Sequence, residues 1–165
     1  MKYWQILASF VLAMVIFLFP LSAQAASSSS VIRATGNEEI SGKDYSGQSL
    51  IGVEFTNVDL KNANFGNADL RGVVFNGTLL EEVNMHGVDF SEGIAYLVKF
   101  QGADLSDAVL ENAMMLRSIF DNVNVTGADF TNAVLDRTQI KKLCAKASGV
   151  NSKTGVDTRK SLRCR

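Results

Sequence analysis

From residue 26 onward the chain contains seven phenylalanines, and every one stands at a multiple of five: Phe55, Phe65, Phe75, Phe90, Phe100, Phe120 and Phe130. Random placement would do this with odds of order 10⁻⁵, so the spacing is a structural period. The other multiples of five agree: Tyr45, Leu50, Leu60, Leu70, Leu80, Met85, Ala95, Leu105, Leu110, Met115, Val125, Leu135 and Ile140. The register is unbroken over twenty positions, and all but Ala95 carry a large apolar side chain. A second column runs two residues earlier, where small or β-branched residues such as Val53, Val58, Ala63, Ala68 and Val73 predominate. The other positions are mostly Asn, Asp, Gly, Ser and Thr.

A period of five suits neither an α-helix, which repeats at 3.6, nor a long strand, which repeats at 2. It suits a chain that turns a corner every five residues. Within each unit two side chains, two apart, point the same way, as in a short extended segment. The Gly- and Asn-rich remainder supplies corners, because those residues tolerate left-handed backbone angles. Successive coils then stack and pair backbone to backbone. Proline would interrupt such a ladder, and the only proline is Pro20.

Units such as Ala63-Asn64-Phe65-Gly66-Asn67 and Ala68-Asp69-Leu70-Arg71-Gly72 resemble the pentapeptide-repeat family, whose pattern is Ala-(Asp/Asn)-(Leu/Phe)-x-x. The resemblance covers residues 43–142. It implies an all-β fold, a right-handed quadrilateral β-helix with four units per coil and about five coils. At roughly 4.8 Å per coil the rod is about 24 Å long. The unit Gly93-Ile94-Ala95-Tyr96-Leu97 departs from the pattern, with a small inward residue and large outward ones, and predicts a distortion or a cavity.

The ends are not repetitive. Lys2, an apolar run over residues 6–19 broken only by Ser9, and Ala23-Gln24-Ala25 read as a signal peptide over residues 1–25. The run is short for a membrane span. Residues 26–42 read as an N-terminal segment and cap, and 143–165 as a C-terminal cap. Cys144 and Cys164 are the only cysteines, and in an exported chain such a pair points to a disulfide rather than a metal site. A helix is expected over 136–148, with Ile140, Leu143 and Ala147 on one face and Gly149 after its end. It would cover the open edge of the last coil.

The segment from Leu143 to Cys164 resembles the tail of lumenal pentapeptide-repeat proteins of cyanobacteria and plant chloroplasts. That resemblance implies the thylakoid lumen, or the periplasm of a photosynthetic bacterium. It brings no biochemical activity with it. The proline usual after the segment's asparagine is replaced here by Ser152.

Column arithmetic sharpens the functional reading. With four units per coil, residues twenty apart stack on one face. The residue before each large one points outward. On the first face these are Asp44, Asn64, Asn84, Asp104 and Asn124; on the second, Ser49, Asp69, Asp89, Val109 and Asp129. On the third they are Glu54, Val74, Ile94, Met114 and Val134; on the fourth, Asp59, Leu79, Lys99, Ile119 and Gln139. Together with Tyr96, Leu97 and Leu116, the third and fourth faces should carry an exposed apolar stripe, and such patches usually mark contact. Two occupants are open: a protein partner or second copy of the chain, or the chain's own tail or residues 26–42.

Charge is also segregated. Residues 38–140 carry a net charge of −10, and residues 141–165 a net of +7. A solvated acidic surface with a cap that attracts it accounts for this. The alternative is a basic end that binds an acidic partner or anionic lipid.

The lone His86 follows an inward Met85 and should be exposed, without a catalytic constellation around it. The expected function is therefore a non-enzymatic binding or scaffold protein of the lumen or periplasm, needing no cofactor. The alternative is an acidic rod that mimics nucleic acid and binds a DNA-processing enzyme. An unidentified protein partner is expected, nucleic acid is not, and membrane contact is expected only through the signal peptide before cleavage.

Overall fold

The computed structural model describes residues 31–33 and 40–165; the predicted signal peptide and most of segment 26–42 lie outside the described residues. The chain winds into a right-handed β-helix whose coils repeat every twenty residues. Short parallel strands stack on the third face: β1 (Val31–Arg33), β2 (Glu54–Thr56), β3 (Val74–Asn76), β4 (Ile94–Tyr96), β5 (Met114–Met115) and β6 (Val134–Leu135). Glu54 pairs with Val74, Val74 with Ile94, Ile94 with Met114 and Met114 with Val134. Single bridges at the same spacing hold the other three faces, such as Asp44 to Asn64, Ser49 to Asp69 and Asp59 to Leu79. β1 pairs Val31 with Glu54, twenty-three residues apart, so this strand caps the first coil outside the repeat's register.

The ladder has one rule. Each coil's N–H groups reach a carbonyl nineteen residues ahead, as Tyr45 does to Asn64, or twenty-one behind, as Asn64 does to Lys43. At the corners the residue two after each large one has positive φ, from Gly42 to Asn132 without a gap. Gly, Asn or Asp hold most of these places, because their side chains meet little steric penalty there.

The acidic and amide residues before the large ones have a structural job. Asp44, Asp59, Asn64, Asp69, Asn84, Asp89, Asp104, Asn124 and Asp129 each accept the N–H two residues on. That bond ties down the corner.

The large column fills the axis as expected, with rings stacked in pairs: Tyr45 on Phe65, Phe55 on Phe75 and Phe100 on Phe120. Each such buried side chain contributes roughly 1.5–3 kcal/mol. The unit at Ala95 is not distorted: β4 keeps its register with β3. The ring of Phe90 leans across instead and stacks on Phe75 at 5.8 Å. A Cβ on Gly93 would lie 2.4 Å from that ring, so Gly93 makes room for Phe90 where Ala95 leaves space.

Two polar residues interrupt the second column and are fully buried, Thr78 and Ser118. Both serve the corner after the third face. Thr78 Oγ1 donates to the Phe55 carbonyl at 2.9 Å. Ser118 Oγ donates to the Ala95 carbonyl at 2.9 Å and accepts the Val98 N–H at 3.1 Å. Each hydroxyl satisfies backbone groups of the coil before it, which would otherwise be costly to bury.

The C-terminal cap carries two helices, α1 (Arg137–Cys144) and α2 (Thr158–Ser161). α1 is shorter than the sequence predicts. The chain leaves the helix after Cys144, and Gly149, at φ +84°, makes a later close approach to Gly127 rather than ending the helix. The cap continues the ladder's register with side chains. Asp136 Oδ2 accepts the Arg117 N–H at 2.8 Å, and Gln139 Oε1 accepts that of Phe120 at 3.2 Å, both nineteen residues ahead. Leu143, Ala147 and Leu162 bury themselves against the end of the core. The Cys144–Cys164 disulfide closes the cap, with Cα atoms 5.5 Å apart.

Candidate functional site

The tail beyond α1 crosses the corner at Gly127, whose N–H donates to the Ser148 carbonyl. It then lies along the second face. Asn151 is the anchor and is buried. Its Nδ2 donates to the carbonyls of Asp107 at 3.1 Å and Ala108 at 3.3 Å. Its Oδ1 accepts the N–H groups of Lys153 and Thr154, both at 2.9 Å. Lys153 Nζ reaches the Gly87 carbonyl, and the Ser152 N–H donates to Asp107 Oδ1 at 3.1 Å. As a result Val109, the one apolar outward residue of that face, is only 7% exposed.

The apolar stripe lies elsewhere, on the third and fourth faces. There Ile94, Met114 and Val134 are 37%, 46% and 49% exposed, Ile119 is 40% and Leu97 is 50%. Val74, Leu79, Tyr96 and Leu116 are half-buried beside them. Of the occupants left open, the tail is not on this stripe: its hydrogen bonds hold it on another face. Among the described N-terminal residues, β1 stacks beyond Glu54 at the end of the sheet.

The stripe forgoes local bonds that other faces have. Val74, Leu79, Ile94, Met114, Ile119 and Val134 stand where Asp or Asn elsewhere tie down the corner, and have no side-chain acceptor to do so. Leu97 occupies the left-handed corner position at φ 57°, a conformation that Leu rarely adopts. Arg117, the next corner in that column, sets its guanidinium 5.9 Å from the centre of the Tyr96 ring. A strained leucine among exposed apolar residues suits a surface kept for contact.

His86 is exposed, as its place predicts, but it has a neighbour that the linear sequence hid. Its Nδ1 lies 2.9 Å from Ser106 Oγ, twenty residues ahead. The twenty-residue stack would have revealed the pair. They sit on the open ladder of the first face, beside Asn84 and Asp104. Among the described residues no cluster of His, Cys, Asp or Glu is placed to hold a metal ion, and no helix is long and apolar enough to cross a membrane.

Two carboxylates of the polar faces titrate low. The Ser46 backbone N–H holds Asp44 below the ordinary carboxylate value, helped by the Ser46 hydroxyl and Asn64. The Arg71 guanidinium, bonded at 2.7–2.8 Å, holds Asp69 below it.

A filled axis, a capped end and long flat faces define a β-solenoid that presents surfaces. The chain belongs to the pentapeptide-repeat family: the family described as pentapeptide repeats matches in eight copies at residues 44–77, 59–93 and 98–141. Among solved structures it is similar to a pentapeptide repeat protein from the thylakoid lumen of Arabidopsis thaliana, at 36% identity and TM-score 0.50, covering 76% of this chain and 88% of that one. It is also similar to HetL, a pentapeptide repeat protein involved in heterocyst differentiation regulation in the cyanobacterium Nostoc, at 20% identity and TM-score 0.44, covering 64% and 39%. Thylakoid lumenal protein TL20.3 of Arabidopsis thaliana is 58% identical over 40 residues, 24% of this chain. The match spans 14% of that relative's length.

Proposed function

We propose that this chain is a non-enzymatic binding or scaffold protein of an exported compartment, with the thylakoid lumen favoured over the periplasm. The lumen reading rests on the two Arabidopsis relatives, both described as thylakoid lumenal. The binding reading rests on one observation. The stripe of Val74, Leu79, Ile94, Tyr96, Leu97, Met114, Leu116, Ile119 and Val134 stays apart from the chain's own tail, which takes the second face instead. A protein partner then docks on the third and fourth faces; a second copy of the chain is another form of the same contact.

The test is a photo-crosslinker at Met114 in one sample and at Asn84, on the polar first face, in another, with capture from intact membranes. The expected result is a discrete adduct from Met114 alone, which mass spectrometry names as partner or second copy. Adducts from both positions alike, or an adduct from Met114 only within one chain, would overturn the reading.

A further inference from the structure

The cap carries a second surface, independent of the stripe. A depression of about 770 Å³ is lined by Arg137, Ile140, Lys141, Leu162, Arg163, Arg165 and the Cys144–Cys164 disulfide. Every lining residue belongs to the cap and none to the four faces of the rod. Its floor is apolar: Leu162 is buried, and Ile140 and the cysteines pack against the core. Its rim is four exposed cations. None of the four forms an ion pair with a carboxylate among the described residues; the four salt bridges use Lys61, Arg71 and Lys142.

The cap also carries Lys142, Lys146, Arg159 and Lys160, all exposed; Lys142 is paired with Asp121, and Arg159 donates to the Cys144 carbonyl. Crowded cations repel one another unless an anion offsets them. An apolar floor inside a cationic rim fits an amphiphilic anion, with the charged group at the rim and the apolar part below. The cations come from both cap helices and the residues after them, not from one segment. That arrangement matches an extended, evenly charged plane better than a single acidic peptide. The flanks, at a net −10 over residues 38–140, are repelled by the same plane, which sets the rod on its end.

From these features we infer that the C-terminal cap docks end-on to an anionic lipid surface, taking one phosphate- or sulfonate-bearing headgroup in the depression. This adds a membrane contact to the one that the sequence predicts through residues 1–25.

The experiment uses the full chain and vesicles of neutral phosphatidylcholine, with or without an equal share of phosphatidylglycerol. Residues 6–19 favour both kinds of vesicle, so the readout is the excess binding to the anionic ones. Wild type should show that excess and lose it near 1 M salt, where screening acts within about 3 Å. Lys141→Glu/Arg163→Glu/Arg165→Glu should weaken it by at least about a hundredfold, the loss of three cations alone at the per-cation strength typical of anionic membranes. Lys43→Glu/Lys61→Glu/Arg71→Glu, which changes net charge equally at the rod's sides, should not. Circular dichroism checks that each variant keeps its fold. Equal weakening by both triple variants, or no anionic excess in wild type, would sink the inference. So would binding of inorganic phosphate or polyglutamate to the cap without a vesicle excess, which would assign the depression to a soluble anion or an acidic protein.

Discussion

Val109 and Met114 are apolar residues in equivalent places, each pointing outward just before a large core residue. One is buried and the other is 46% exposed. The difference lies in the polar groups nearby. Beside Val109 the carbonyls of Asp107 and Ala108 receive Asn151, and Gly87 receives Lys153. Apolar area draws a tail onto a rod without preference among faces; directed hydrogen bonds choose the face. The chain thus separates apolar surface that it uses itself from apolar surface that it leaves outward.

The largest test of that separation removes the anchor. Asn151→Ala takes its partner from the Asp107 carbonyl and from two tail N–H groups, while the Ala108 carbonyl keeps the Asp129 N–H, and should cost roughly 1–3 kcal/mol in denaturant unfolding. It should also raise the exposure of Val109, visible as faster amide exchange on the second face. A loss under about 0.5 kcal/mol would mean that the tail keeps its face without Asn151.

Next comes the matched pair. Val109→Asp places a carboxylate under the tail between Asp89 and Asp129 and should cost about 2 kcal/mol. Met114→Asp should change stability by no more than about 0.5 kcal/mol while abolishing the crosslinked adduct. Equal losses at the two sites would erase the comparison, because Met114 would then be packing surface too.

Leu97→Asn relieves a left-handed leucine and should stabilise the isolated chain by about 0.5–1 kcal/mol, read as a higher Tm. Partner capture should fall in the same variant. A Tm that drops would show that Leu97 serves the fold.

The smallest effect is acid dependence. Asp44 and Asp69 bind protons less readily in the folded chain than the ordinary value of 3.8 implies. The unfolded chain therefore takes up protons first, and stability present above that pH is lost as the pH falls below it. Arg71→Gln should shrink this loss, since Arg71 is the main cause at Asp69. Both carboxylates lie on the polar faces, so stripe variants should leave the acid profile unchanged.

Most of the architecture was readable because a period of five puts the same chemistry in the same place twenty times. The core columns, the stacking at twenty, the apolar stripe and the pairing of Cys144 with Cys164 all follow from it or from composition. What was not readable depends on contacts that the period does not index. The tail is not repetitive, so nothing in it names the face it will take; Val109, alone among polar neighbours, was the available sign. Thr78 and Ser118 stand in the second column, and the corner they bond is set by carbonyls twenty-three residues back, which the period does not index. Phe90 could fill the gap at Ala95 only because Gly93 lacks a side chain, a three-residue coincidence in space.

Asp136 and Gln139 meet the last coil with side-chain oxygens set where the next coil's carbonyls would come. The end piece thus fits any coil of the same phase, and the rod behaves as a ruler graduated in twenties. A duplication of twenty residues lengthens it by one graduation and leaves tail and stripe on their own faces. An insertion of five turns everything after it by a quarter, carrying the anchor at Asn151 away from the carbonyls it needs. Length in this molecule is free to drift only in whole turns.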